Sequence, residues 1–308
     1  MGKKSSLTPM IIIGILFFIF GFVTWLNGSL IPFLKVLCHL NEFEALFVTF
    51  AFYIAYTVMA FPMALLLEKT GYKKGMALGL GVMGVGSLLF IPAAFSGEFL
   101  VFLLALFTLG TGLTTLQTAS NPYITLIGSI ESAAVRISIM GLINKSAGVL
   151  APLVFSVLIF SGTGLGEDLS TRELDLLAQK LILPYMIMAG LLFFLMFFVF
   201  KSSLPELEFV NDEYDDLNIF SFPHAILGAV ALFFYVGIEV IAGDTIGLYA
   251  HSIGFSHSTV LTSYTMSFMV LGYLFGVFFI PKYLSQQKAL LLSAIGGYSP
   301  YFADTYEF

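Results

Sequence analysis

Long apolar segments recur along almost the whole chain, and short polar stretches separate them. Each is about as long as the roughly 17–25 residues that a helix needs to cross a bilayer. None alternates polar and apolar residues as a barrel strand does, and a helix satisfies its own backbone hydrogen bonds in lipid. The pattern therefore predicts eight membrane-spanning helices, at Met10–Leu34, Phe43–Leu67, Gly75–Phe95, Phe99–Ile127, Ile137–Phe160, Leu181–Phe200, Pro223–Ala250 and Ser258–Ile280.

A ninth apolar segment begins at Ala289–Gly297 but does not continue as the other eight do. The residues that follow include Pro300, Asp304 and Glu307, which suit the membrane interior poorly. We therefore predict only the beginning of a ninth span.

The composition agrees with this pattern and excludes an ordinary soluble domain. Hydrophobic residues make up 58% of the chain and charged residues only 10%, whereas a soluble domain carries about a quarter charged residues. Membrane lipid is therefore the expected surrounding. No basic stripe suggests nucleic-acid binding, and the single cysteine, Cys38, excludes a Cys-cluster metal site. We predict no metal site and no cofactor.

Lysine and arginine are distributed unevenly between the two sets of loops. Nine of them lie on the side of the N-terminus and three on the opposite side. Basic residues are enriched on the cytoplasmic side of membrane proteins, so the N-terminus is predicted to be cytoplasmic. The nine are Lys3, Lys4, Lys69, Lys73, Lys74, Arg136, Lys201, Lys282 and Lys288, and the three are Lys35, Arg172 and Lys180.

A break in composition follows the sixth predicted span. Segment 202–222 is acidic and carries most of the net charge of -6. A weak internal repeat aligns residues 21–28 with residues 237–244, as in transporters built from two related halves. Chance matching of apolar sequence is the alternative. We predict a six-helix half over 1–201, an acidic cytoplasmic linker over 202–222, and an incomplete second half over 223–308.

The loop after the second span carries charges around a glycine. It contains Glu68, Lys69, Gly71, Lys73 and Lys74. This pattern resembles the signature loop of the major facilitator superfamily. Gly71 permits a tight turn, and the charges can pair with neighbouring helix ends and latch one conformation. The alternative is the ordinary enrichment of basic residues in cytoplasmic loops.

Four further motifs narrow the resemblance to the fucose–galactose–glucose symporter family. They are Leu26–Pro32, Ala51–Tyr53, Leu116–Tyr123 and Tyr235–Glu239. The likeness runs from about residue 17 to about residue 294 and is closest to the glucose/galactose branch, whose fourth-span motif has glutamine at position 117. It implies a twelve-helix fold and sugar transport by alternating access.

Two positions depart from the pattern of the fucose permeases. Those proteins carry an aspartate where this chain has Gly28 and a glutamate where it has Gln117. Proton coupling by those two carboxylates is therefore not implied. Three charged residues lie in the interiors of the predicted spans: Lys145, Glu239 and Asp244. Ionisable groups in lipid are costly and usually functional.

Asp244 falls on the repeat position that corresponds to Gly28. We hypothesise that the coupling carboxylate has moved to this mirror helix, and that one of Glu239 and Asp244 faces the cavity while the other pairs with Lys145. The alternative is a purely structural pair between Lys145 and a carboxylate, holding the halves together. The coupling ion would be H⁺ or Na⁺.

Sugar hydroxyls need amide and hydroxyl partners, and pyranose rings stack on aromatic faces. The candidate sugar contacts near the middle of the membrane are Asn27, Tyr53, Gln117, Asn121 and Asn144. For each amide, the alternative is a hydrogen bond between helices; Asn121 could also compensate the backbone gap at the following proline. Trp25 is either an aromatic platform or a member of the aromatic belt at the membrane surface.

These observations predict an all-α membrane protein of the major facilitator type, with eight complete helices and a partial ninth of an expected twelve. The expected function is the transport of a hexose-type sugar across the bacterial cytoplasmic membrane, without enzymatic chemistry. A transporter-derived sugar sensor or scaffold, or a non-functional fragment of a transporter, is the alternative. The ending inside the ninth span suggests C-terminal truncation. The sequence leaves open which sugar is carried.

Overall fold

The computed structural model describes residues 7–128, 133–160, 170–207, 221–255, 260–280 and 283–304. These residues form a bundle of helices. In chain order they are α1 (Leu7–Leu37), α2 (Glu42–Thr70), α3 (Tyr72–Ser96), α4 (Phe99–Leu126), α5 (Ala133–Phe160), α6 (Thr171–Gln179), α7 (Ile182–Lys201), α8 (Pro223–Asp244), α9 (Ile246–Ser252), α10 (Leu261–Phe279) and α11 (Gln286–Asp304).

Eight candidate membrane spans are found in the described part of the chain, and each overlaps a predicted one. The prediction of an all-α protein with eight spans is confirmed. Helix α11 carries the ninth apolar segment through Pro300 as far as Asp304, although it is not among the eight. Most of the predicted acidic linker, residues 208–220, lies outside the described residues.

Polar residues define the ends of the first helices. Asn41 begins α2 with a capping box, in which its side chain accepts from the Glu44 backbone and the Glu44 side chain accepts from the Asn41 backbone. Gly71 separates α2 from α3 with a φ of +78°, a conformation that residues with a Cβ rarely adopt. The predicted tight turn therefore fits in a single residue.

The first seven helices pack in pairs and leave their apolar outer faces for lipid. Helix α3 packs against α4 and α7, α2 against α4, and α1 against α5. The contact between α3 and α4 depends on Gly79 and Gly112, because a Cβ atom added at Gly79 would lie 2.8 Å from the Gly112 carbonyl oxygen. Small residues allow such close approach in membranes, where lipid supplies no hydrophobic drive between helices.

We expect Gly112→Ala to destabilise the bundle by about 1–3 kcal/mol, the usual cost of overpacking. The added carbon would meet the Met83 backbone nitrogen at 2.5 Å, and backbone cannot rotate away. Gly190→Ala in α7 is the matched control, because nothing lies within 4 Å of its added carbon. Thermal unfolding in detergent measures both variants, and equal melting temperatures would contradict the close contact.

The second group of helices rests on the first along α1 and α5. Helix α10 packs on α5, and α8 and α9 contact α1. Helix α8 is mostly exposed: Gly243 and Asp244 are its fully buried residues, and the Glu239 side chain is largely covered. The junction of the two groups therefore lies at the end of α8.

Candidate functional site

Asp244 lies at a break in the seventh span. The sequence predicts one helix over Pro223–Ala250, but α8 ends at Asp244 and α9 begins at Ile246. The Thr245 hydroxyl donates a hydrogen bond of 2.7 Å to the Ile241 carbonyl, and such back-bonding often bends helices. The expectation of an uninterrupted helix is therefore wrong, and the correction places a carboxylate at the break.

The Asp244 carboxylate is fully buried, and neither oxygen has a hydrogen-bond partner in the described part of the chain. The Tyr53 hydroxyl of α2 interacts with it electrostatically, without a well-aligned hydrogen bond. Both described ion pairs lie elsewhere, at Lys35–Glu42 and Lys145–Glu239. Because burying an isolated carboxylate is expensive, such a group within a membrane is a candidate functional site.

The repeat-related positions 28 and 244 lie close together. A Cβ atom added at Gly28 would be 3.1 Å from the Gly243 carbonyl oxygen and would collide with the Thr262 hydroxyl. That hydroxyl donates a hydrogen bond of 2.8 Å to the same carbonyl. A side chain at position 28 would displace Thr262 and crowd the Gly243 carbonyl, and the carboxylate next to this contact belongs to α8 rather than to α1.

Lys145 of α5 forms an ion pair with Glu239 of α8, and both side chains are about nine-tenths buried. The Lys145 ammonium also lies over the Trp25 ring, 4.4 Å from its centroid. Trp25 is only 3% exposed, so its interpretation as a belt residue at the membrane surface is wrong. The pair and the ring connect α1, α5 and α8.

The predicted sugar contacts occupy different environments. Asn27 is buried beside Gly28, and its side-chain nitrogen has no partner in the described structure; the same holds for the Tyr53 hydroxyl. Asn144 instead donates a hydrogen bond of 3.3 Å to the Phe17 carbonyl of α1. A hydrogen bond between helices of this kind was the alternative to a sugar contact. The structure thus brings Tyr53 to Asp244 and uses the amide of Asn144 within the bundle.

Gln117 and Asn121 lie on α4, which packs against α2 and α3. Gln117 is half-buried and Asn121 is exposed. No side-chain hydrogen bond of either residue is found among the described contacts. Their role as sugar contacts therefore stays a prediction.

Two hydroxyl groups near this junction were not predicted from the sequence. The Thr24 and Ser263 side-chain oxygens are buried without partners in the described part of the structure. Thr24 interacts with Tyr56, which stacks on Tyr53 with ring centroids 5.8 Å apart. Single hydroxyl residues in an apolar span give little signal in a sequence, because they also bond to their own helix.

The charged loop between α2 and α3 contacts the segment that follows α7. The Lys73 ammonium donates a hydrogen bond of 2.7 Å to the Ser202 carbonyl at the end of α7. A Cβ atom added at Gly71 would collide with the Glu206 side chain. Glu68, Lys69 and Lys74 form no ion pair within the described ranges, so Lys73 makes the one helix-end contact seen for these charges.

The apolar helices and the buried polar junction define a multi-pass helical membrane protein. The chain belongs to the Major Facilitator Superfamily, whose family model matches residues 13–303. The resemblance stated above is therefore confirmed, and the relatives fit the fucose–galactose–glucose symporter family. This membership also agrees with the prediction that the chain is not an enzyme.

Two relatives illustrate the similarity. The chain is 35% identical to the glucose/galactose transporter of Brucella abortus over 75% of its own length and 55% of that protein. It is 28% identical to the L-fucose-proton symporter of Haemophilus influenzae over 96% of its length and 74% of that protein. The chain therefore spans little more than half the length of the first of these relatives.

The fold is similar to that of a solved structure, the Escherichia coli transporter FucP in its outward conformation. The TM-score is 0.69 and the identity 24%, over 91% of this chain and 73% of that one. This likeness supports the major facilitator fold.

Proposed function

We propose that the protein is a secondary transporter, which moves a hexose-type sugar across the bacterial cytoplasmic membrane by alternating access and couples this movement to a cation. The names of the relatives, glucose/galactose transporter and L-fucose-proton symporter, support the substrate class. The proton symporters favour H⁺ over Na⁺ as the coupling ion.

One observation carries the proposal of coupling: Asp244 is a fully buried carboxylate with no hydrogen-bond partner among the described residues. A carboxylate changes charge when it binds or releases a proton, and the cost of burying it changes with that charge. A proton on Asp244 would therefore favour a closed junction, and its loss an open, hydrated one. Coupling follows when sugar stabilises one of these states.

Asn27 and Tyr53 are the proposed sugar contacts with the strongest geometric support, because their buried polar groups lack partners in the described structure. Gln117 and Asn121 remain proposed contacts on α4. Asn144 remains a weaker proposal, since its amide already donates to the Phe17 carbonyl. A sugar would enter between α1, α2 and α4 once the junction opens.

The moving units in this proposal are the half 1–201 and the helices of 223–308, joined by the linker 202–222. The contact of Lys73 with the end of α7 would keep the first half rigid during this movement. Glu68, Lys69 and Lys74 complete this latch loop with Gly71 at its turn, and these three charges would pair with helix ends of the other half in the proposed latch. The Lys145–Glu239 pair crosses between the units.

The direct test is counterflow in proteoliposomes that contain the purified chain. Vesicles loaded with unlabelled glucose, galactose or L-fucose are diluted into a trace of the labelled sugar. Transient accumulation of at least one label is the expected result. Sugar binding without flux would instead favour a transporter-derived sensor, and neither binding nor flux would contradict a sugar function for this chain.

Cys38 tests the proposed orientation, with the N-terminus in the cytoplasm and Cys38 outside. Burial, together with the charge of Glu98, raises the pKa of the Cys38 thiol from 9.0 to about 11. Because the thiolate is the reactive form, we expect a membrane-impermeant thiol reagent to label it about 100-fold more slowly at pH 8 than an unshifted thiol. The rate should rise about tenfold per pH unit as pH approaches 11.

Labelling should occur in intact cells. Ser203→Cys in a Cys38→Ser background is the control for the inner side, since Ser203 is exposed just after α7. If Ser203→Cys, rather than Cys38, were labelled in intact cells, the orientation would be the opposite of the one proposed.

A further inference from the structure

The indole ring of Trp25, which belongs to α1, is enclosed by residues of two other helices, α5 and α8. Lys145 of α5 lies over its face, 4.4 Å from the centroid. Gly148, one helical turn further along α5, meets its five-membered ring, where an added Cβ atom would be 2.6 Å from Cδ1. Gly243 of α8 meets its six-membered ring so closely that an added Cβ atom would collide with it. The ring fits only because positions 148 and 243 lack side chains.

Gly243 directly precedes Asp244, so one edge of the ring reaches the residue beside the buried carboxylate. The ammonium on the ring face is paired with Glu239, while the polar group that interacts with Asp244 is Tyr53. Glu239 and Asp244 are five residues apart, about 7.5 Å along the axis of α8. The ring therefore contacts the cation of the Lys145–Glu239 pair on its face and the residue that precedes the unpaired Asp244 at its edge.

We propose that Trp25 is a positioning residue that separates Lys145 from Asp244, so that Asp244 stays unpaired and can exchange a proton. This inference rests on the proposed function and adds a residue to it. The ring occupies the space through which the flexible lysine stem would otherwise reach the second carboxylate. The attraction of the ammonium to the ring face also holds the cation on the Glu239 side.

The separation of Lys145 from Asp244 matters because an isolated buried carboxylate is costly. Without the ring, Lys145 could lie between Glu239 and Asp244 and stabilise both as anions. Asp244 would then be fixed as half of a salt bridge, because an ammonium within about 4–6 Å favours the ionised carboxylate by a factor of ten or more. Tyr53 from α2 interacts with Asp244, and Thr262 from α10 donates to the adjoining Gly243 carbonyl. Lys145 from α5, which lies over the Trp25 ring, is paired with Glu239 of α8.

The test uses dicyclohexylcarbodiimide, a lipid-soluble reagent that modifies neutral carboxyl groups, with mass spectrometry of the purified chain in detergent. We expect Asp244 to be modified in the native chain and in Trp25→Phe, which keeps an aromatic face. Trp25→Leu should reduce the modification of Asp244 about tenfold, the factor by which a neighbouring ammonium favours the ionised form. Trp25→Met is the second variant if Trp25→Leu is not monodisperse.

The decisive control removes the cation together with its partner. In a Lys145→Met/Glu239→Gln background, Trp25→Leu should leave the modification of Asp244 unchanged. An equal reduction in both backgrounds would overturn the proposal, because the ring would then act on Asp244 without Lys145. Native-like modification in Trp25→Leu, or an unreactive Asp244 in the native chain, would overturn it as well.

The measurement needs neither sugar nor an ion gradient, so its outcome is separate from that of the transport assays. A chain with this labelling pattern but no flux would reject the proposed function alone. Flux without this pattern would reject the role of Trp25 alone.

Discussion

Replacement of Asp244 by asparagine is expected to abolish uphill accumulation of sugar while leaving downhill equilibration. Asparagine keeps the size of the side chain but cannot bind and release a proton. With one proton per sugar, an inward gradient of one pH unit supports about tenfold accumulation, since each 1.4 kcal/mol is a factor of ten. Proteoliposomes with native chain should approach that ratio, and Asp244→Asn should stay near unity.

The matched control is Asp175→Asn, the same substitution at an exposed position of α6. It should accumulate sugar as the native chain does. Full accumulation by Asp244→Asn would mean that another group couples transport to the proton, and Glu239 would be the first candidate. If Glu239→Gln also retained full accumulation, neither carboxylate of α8 would be the coupling group.

Glu239→Gln should have the largest effect on stability, because it leaves the Lys145 ammonium buried without its counter-ion. The two side chains are only 8% and 12% exposed, and breaking a buried pair by removing one partner costs about 3–5 kcal/mol. Thermal unfolding in detergent should show a melting temperature far below that of the native chain.

The double variant Lys145→Met/Glu239→Gln distinguishes the effect of breaking the ion pair from the effect of lost packing around Glu239. It removes both charges, and a buried ion pair replaced by uncharged residues is often neutral in stability. We expect it to recover most of the loss seen in Glu239→Gln alone. A double variant as unstable as the single one would mean that Glu239 stabilises the protein through contacts other than Lys145.

The helical spans could be predicted from the sequence because lipid imposes one simple requirement. Each span must be long and apolar, so segments such as Phe43–Leu67 and Phe99–Ile127 are visible without knowledge of their neighbours. The charged residues Lys145, Glu239 and Asp244 were also conspicuous, since each is a costly exception in an apolar helix.

The arrangement of those charges could not be predicted, because it depends on contacts between helices far apart in the chain. The spacing of five positions between Glu239 and Asp244 left open which carboxylate meets Lys145. The break at Thr245 could not be predicted either, because Thr111 and Thr114 make the same back-bond within the unbroken α4 as Thr245 does at the break. The burial of Trp25 could not be predicted either, because it depends on glycines of α5 and α8.

The candidate sugar contacts were the least predictable part of the site. An amide in a span can bind a ligand or another helix, and the residue type is the same in both cases. Asn144 shows the second use, through its hydrogen bond to the Phe17 carbonyl, whereas Asn27 is buried with an unpartnered nitrogen in the described structure. Only the positions of neighbouring backbone groups distinguish the roles of these two asparagines.

Sugar-induced proton movement tests the central claim most directly. Sugar is added to de-energised proteoliposomes in weak buffer, and the external pH is recorded for the native chain and for Asp244→Asn, with binding of the same sugar measured in parallel. Our account predicts that the native chain makes the medium more alkaline as protons enter with sugar, and that Asp244→Asn binds sugar without a pH change. Equal alkalinisation by both chains would contradict the assignment of coupling to Asp244.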